Sequence, residues 1–184
     1  MSELTQLVKA PTRLFINRGV SPCPTLELVR RYGMPRHHTQ IDDQCRPPTS
    51  EFWAGRMVAA DVGPFRVSGH RAAVDLLRKS LAEVQKVNPV LYRELGSMGM
   101  LCVRWVRGHD GLLSNHSLGM AIDFTVSGVL DPYGDGLCQK GLIDLYRVMK
   151  LFGWYWGAGF RAEDAMHFEV SAKVVRDWIK RGVF

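Results

Sequence analysis

The sequence predicts an α+β domain: a small, mainly antiparallel sheet flanked by helices. Three observations predict it. Helical periodicity runs through residues 69–95, 139–152 and 172–180. Short β-branched and aromatic runs occupy 100–106, 120–126, 154–156 and 166–170. Helices thus fall before, between and after short strands, the pattern of a packed two-layer domain. At 184 residues the chain is long enough to bury one sizeable core.

Residues 1–66 are punctuated by seven prolines and read as irregular. One short helix is predicted there, Thr25–Tyr32, with Thr25 as N-cap, Pro24 before it and Gly33 after it. In HRAAVDLLRKSLAEVQKVNP, Ala73, Leu76, Leu77, Leu81, Val84 and Val87 recur at three- and four-residue steps. Arg78, Lys79, Glu83 and Lys86 fall mostly on the other face. Asn88 and Pro89 end this helix, because proline disfavours helix at the residue before it. A second short helix follows over 91–95, closed by Gly96. Segments 100–106 and 120–126 read as strands. The helix over 139–152 carries Leu142, Leu145, Tyr146, Met149 and Phe152 in register and ends on Gly153. Strands over 154–156 and 166–170 precede a closing amphipathic helix, Ala172–Lys180, with Val174, Val175, Trp178 and Ile179 inward. Residues 1–61 are expected as an irregular extension packed on a core domain of 62–184.

Composition excludes several classes. Hydrophobic residues at 46% and charged residues at 23% argue against wholesale disorder. The net charge of +6 suits an acidic partner. However, the arginines are scattered from Arg13 to Arg181 with no basic, aromatic-interleaved run, so nucleic acid is not expected. The longest uncharged stretches, 111–122 and 151–160, are too short and polar to span a bilayer. The first fifteen residues show no apolar h-region, so synthesis in the cytoplasm without a secretory signal is expected. The four cysteines form no CxxC pair, which excludes a cysteine zinc ribbon, and free thiols are expected.

Two segments carry chemistry. In SNHSLGMAID, strand alternation sends Ile122 and Phe124 to one face and Asp123 to the other. Gly119 lets the preceding loop turn so that His116 can reach the same point. In EDAMHFE, His167 and Glu169 share a strand face, and Asp164 lies three residues before His167. A carboxylate among apolar residues needs a partner. Two histidines and one aspartate suit a catalytic metal site with an open position for water, and a further carboxylate suits a general base.

The run SNHSLGMAID fits the pattern Ser-x-His-x-x-Gly-x-Ala-x-Asp, and WYWGAGFRAEDAMHFE fits an ending Trp-Gly…Asp-x-x-His-Phe-Glu. On these residues the chain resembles the D-Ala-D-Ala metallopeptidases. That group includes D-alanyl-D-alanine carboxypeptidases and dipeptidases and phage L-alanyl-D-glutamate endolysins, and it shares the fold of the Hedgehog signalling domain. The likeness runs over roughly 62–170. It implies one zinc ion held by His116, Asp123 and His167, with Asp164 as the catalytic acid–base and Glu163 its adjacent alternative. It places Arg104, or nearby Arg107, where family members hold a substrate carboxylate or carbonyl. Ser114 and Trp154 are expected behind the ligands or beside the substrate.

The activity implied is hydrolysis of peptidoglycan stem peptides by a monomer, either at L-Ala–D-Glu or at D-Ala–D-Ala. The enzyme would act on the cell wall after release or export. The alternative is a zinc-binding interaction domain of the same fold without catalysis. Asp164 is the residue that argues for the enzyme.

Overall fold

The computed structural model describes residues 2–13 and 15–184, with Asp110 described in its backbone alone. The first part carries β1 (Leu7–Lys9), α1 (Thr25–Tyr32), α2 (Glu51–Ala54) and an antiparallel hairpin of β2 (Met57–Asp61) and β3 (Arg66–His70). Then come α3 (Arg71–Val87), α4 (Pro89–Glu94), β4 (Leu95–Gly99), a small hairpin of β5 (Trp105–Val106) and β6 (His109–Leu113), and β7 (Ala121–Val126). The chain closes with β8 (Leu137–Gln139), α5 (Lys140–Met149), β9 (Trp154–Trp156), β10 (His167–Val170) and α6 (Ala172–Lys180).

The central sheet has the order β4-β7-β10-β9, and every neighbouring pair is antiparallel. The architecture is α+β with small antiparallel sheets. Register decides what each face carries. Phe168 lies opposite Ile122 and Trp156, and all three are fully buried. His167 lies opposite Asp123, and Glu169 opposite Ala121, on the other face.

The helices cover the apolar face. Along α3, Ala73, Val74, Leu77, Leu81 and Val84 are wholly buried, as their three- and four-residue spacing requires. Trp154 locks β9 onto this helix, its indole Nε1 donating to Ser80 Oγ at 3.0 Å. Truncating a leucine such as Leu81 there costs about 2–5 kcal/mol. Asn88 ends α3, and its Oδ1 accepts from the Leu91 amide at 3.0 Å, which starts α4 with Pro89 in the first turn. A 3-10 turn over Lys150–Phe152 carries α5 to Gly153. Among the described residues no helix is long and apolar enough to cross a membrane.

Three expectations need correction. Segment 100–106 is not a full strand: only Trp105–Val106 pairs, with an isolated bridge between Val103 and Arg46. Its backbone serves the loop around His116 instead, the Cys102 amide donating to His116 O and Arg104 O accepting from the Ser114 amide, both at 3.1 Å. Gly96 does not close a helix but lies in β4. Cys45 and Cys102 are not free thiols: they form a disulfide, because residues 42–46 run against 103–105 and bring the two Cα atoms to 4.8 Å. Cys23 and Cys138 are free and buried.

The segment before β2 is also more structured than its prolines suggest. Strand β1 pairs with β8. Ile16, Cys23, Leu28, Ile41 and Trp53 enter the same core as the sheet.

Candidate metal centre

Asp123 sits in the middle of β7, and His167 opens β10 directly across from it. Directly opposed residues of an antiparallel pair hold their Cβ atoms about 5 Å apart, within reach of a common point. His116 comes from the 3-10 turn Asn115–Leu118, which delivers the chain into β7. The turn ends on Gly119, with φ of +62°, and a Cβ there would stand 2.5 Å from the His70 amide nitrogen. Only glycine satisfies both conditions. The His70 amide in turn donates to Gly119 O at 3.0 Å, tying the turn to β3.

The three donor atoms converge. His116 Nε2 is 3.2 Å from His167 Nδ1 and 3.2 Å from Asp123 Oδ1, and His167 Nδ1 is 3.0 Å from Asp123 Oδ1. Among the described residues this is the one His/Cys/Asp/Glu group of three or more that could hold a metal ion. Ligands of a tetrahedral zinc, with bonds of about 2.0 Å, stand about 3.3 Å apart, so the triangle fits such an ion. Both imidazoles are buried, while Asp123 keeps 23% of its side chain exposed, so the triangle meets solvent on that side.

Neighbours set which ring nitrogen is bare. His116 Nδ1 lies 3.3 Å from Met100 O, an acceptor, so Nδ1 carries hydrogen and Nε2 is left free. His167 Nε2 lies 3.0 Å from Glu169 Oε2, so Nε2 carries hydrogen and Nδ1 faces the triangle. Burial opposes charge on His167, but its hydrogen bonds to the Asp123 and Glu169 carboxylates prevail and push it up to about 10. Burial likewise opposes charge on Asp123, yet His116 and His167 hold its carboxyl far below the usual carboxylate range. The pair is thus poised to exchange a proton for a cation.

Residues 107–170 match the profile of a family described as D-alanyl-D-alanine carboxypeptidase. The chain resembles the D-Ala-D-Ala metallopeptidases. The match spans about a third of the chain and contains all three converging residues. No curated protein and no solved structure matches the chain. Family and triad together support a metal-holding peptidase.

Within the matched segment, Asp164 sits on the loop between β9 and β10. Its amide donates to Gly157 O, and its carbonyl accepts from the His167 amide, both at 3.1 Å. Burial raises its carboxyl pKa; Asp123 and Glu163 add to the rise, and His167 and His116 oppose it. Its Oδ1 is buried without a hydrogen-bond partner among the described residues. Glu163 is buried too, but its charge also bears on Asp131, before β8, and on Cys138 within that strand.

Arg104 is half-buried, and its Nη1 donates to Trp105 O at 3.0 Å. Burial and Arg107 disfavour its charge, whereas Asp123 and Asp164 favour it, so the guanidinium lies in the field of the site. Arg107 is exposed. Ser114 contributes its amide to Arg104 O. The hydroxyl that ties the turn to this segment is that of Ser117, which accepts from the Arg104 amide and donates to Arg104 O, both at 3.1 Å.

Trp154 is a correction: it lies wholly in the core against α3 and lines no cleft. Trp156 is buried as well and supports the Asp164 loop, its Nε1 donating to Ala165 O at 2.7 Å. Motif spacing overlooked Ser117 and Asn115, and it left Gly157 and Glu169 inside the quoted pattern without a task. The signal for Glu169 was its place on the His167 face of β10.

Proposed function

We propose that the protein is a zinc peptidase that hydrolyses an amide bond in the stem peptides of bacterial peptidoglycan. The convergence of His116, Asp123 and His167 within 4.8 Å, beside an unpartnered Asp164 carboxyl and inside the family-matched segment, carries this reading. His116 Nε2, Asp123 Oδ1 and His167 Nδ1 would hold one zinc ion. When bound, the ion supplies Lewis acidity that brings a water's pKa towards neutrality and polarises a carbonyl.

The chain's own groups do the rest. Asp164 accepts the proton of the attacking water on its carboxylate and delivers it to the leaving amine. Its raised pKa suits a group that must take a proton and then release it. Arg104 sets a fixed positive charge beside the site, where it counters charge developing on the carbonyl oxygen or holds a substrate carboxylate. Asp164 is preferred to Glu163 as the acid–base because both histidines and Asp123 act on its carboxyl. One copy of the chain contains every group named. The place of action is then the cell wall, reached after release or export.

Digestion of purified peptidoglycan with and without a chelator, followed by mass spectrometry of the fragments, tests the proposal. A new N-terminal D-Glu identifies an endopeptidase, and free D-Ala a carboxypeptidase. Absence of any chelator-sensitive product from several wall types refutes it.

A further inference from the structure

We propose that Glu169 is a positioning residue of the metal centre and that the chain's N-terminal segment, through the Cys23 amide, holds it in place; this rests on the metal reading above. Glu169 is completely buried. A buried carboxylate is costly unless its oxygens are filled by donors. Here they are. Oε1 accepts from the Cys23 amide at 2.8 Å, and Oε2 accepts from His167 Nε2 at 3.0 Å and from Asn115 Nδ2. The Thr25 hydroxyl donates to Asn115 Oδ1, completing a chain of contacts. Among the described residues no lysine or arginine pairs with Glu169; His167 is its ionic partner.

The arrangement has two consequences. Glu169 accepts hydrogen at His167 Nε2 and so turns Nδ1 towards Asp123 and His116. Through Asn115, the residue before His116, the same carboxylate also ties down the turn that carries the other imidazole. One acid therefore aligns both histidine-bearing segments. Its anchors, Cys23 and Thr25, lie outside the family-matched residues 107–170. The N-terminal segment is on this account a working part of the centre, and a fragment confined to the matched region lacks the Cys23 and Thr25 groups that anchor Glu169 and Asn115.

Zinc affinity tests this without any peptidase assay. Zn2+ is titrated into metal-free protein in competition with a chromophoric chelator, and the melting temperature of each metal-free variant is recorded. In Glu169→Gln the terminal NH2 meets an existing donor whichever way the amide is turned. Affinity is expected to fall about 10–100-fold. Cys23→Pro deletes the amide hydrogen, whereas Cys23→Ala keeps it, so the proline variant is expected to bind Zn2+ about tenfold more weakly than the alanine variant.

Nitrogen-15 NMR of the imidazoles in Zn2+-loaded wild type needs no variant. Hydrogen on His167 Nε2 and on His116 Nδ1 is expected. Coordination through His167 Nε2, a Glu169→Gln affinity equal to wild type, or equal affinities for the two Cys23 variants overturns this proposal alone. Failure of wild type to bind Zn2+ overturns the metal reading with it.

Discussion

Replacing Gly157 by alanine tests how closely the loop under the site is packed. A Cβ at this position would stand 2.5 Å from Asp164 O, 3.0 Å from His167 Cβ and 3.1 Å from His167 O. Ordinary contact begins at 3.4 Å, so the Asp164 carbonyl must retreat by about 1 Å. That carbonyl accepts the His167 amide, and any retreat carries the proposed acid–base and one proposed ligand with it. Overpacking of this kind costs about 1–3 kcal/mol. For a chain of this size that is roughly 2–12 °C in melting temperature. A displacement near 1 Å at reacting groups costs about 100-fold in rate. Calorimetry of the metal-free protein and turnover on peptidoglycan fragments read the two effects separately. A Gly157→Ala variant with wild-type melting temperature, Zn2+ affinity and turnover would refute the packing argument.

Other outcomes follow from the same geometry. Asp164→Ala should keep Zn2+ and lose turnover by about 100-fold or more, whereas His116→Ala should lose both, as equilibrium dialysis and fragment analysis would show. His70 is buried with both ring nitrogens unpartnered, beside Trp53, Trp178 and Phe184; burial, then Arg56 and Arg71, lower its pKa from 6.5 to about 4. The unfolded chain binds that proton more readily, so the contribution is intact above pH 6.5 and is lost as pH falls towards 4. His70→Phe should remove about 3 kcal/mol of acid sensitivity, seen as a flatter plot of melting temperature against pH from 4 to 7. Asp131 is pushed up to about 6 by burial and by Asp135, Glu163 and Asp164, against the Gln139 amide bond. Its contribution to stability is therefore present below 3.8 and lost as pH rises through 6. Asp131→Asn should raise the melting temperature at pH 7.5 and not at pH 3.5; no difference between the two pH values would contradict the assignment.

Local pattern made much of this molecule legible. Helices α1, α5 and α6 and strands β7 and β10 follow from periodicity and from glycine or proline punctuation, which act within a few residues. The spacing around His116, Asp123 and His167 singled out the three groups that the structure brings together. What escaped is non-local. Strand β4, with sequence LGSMG, has little β propensity; it forms because Gly96 allows close approach to Thr125, to which a Cβ would come within 2.5 Å. Segment 100–106 has the composition of a strand, yet it holds the His116 turn. Glu169 was visible by alternation, but its partner Cys23 lies 146 residues away, and no local rule joins them. Trp154 faces the helices because it pairs with Val170, one step out of phase with Glu169. That parity was available in the sequence.

The facing of His167 and Asp123 across β10 and β7 would make an ion bound there a proofreader of strand alignment. Sliding β10 by a single residue would bury the imidazole among Ile122, Phe124 and the helices and present Phe168 to the cleft. No such misaligned chain can chelate. A metal held by this triad would therefore reward one pairing alone during refolding, and the rate at which chelating competence appears would report directly on when these two strands find each other.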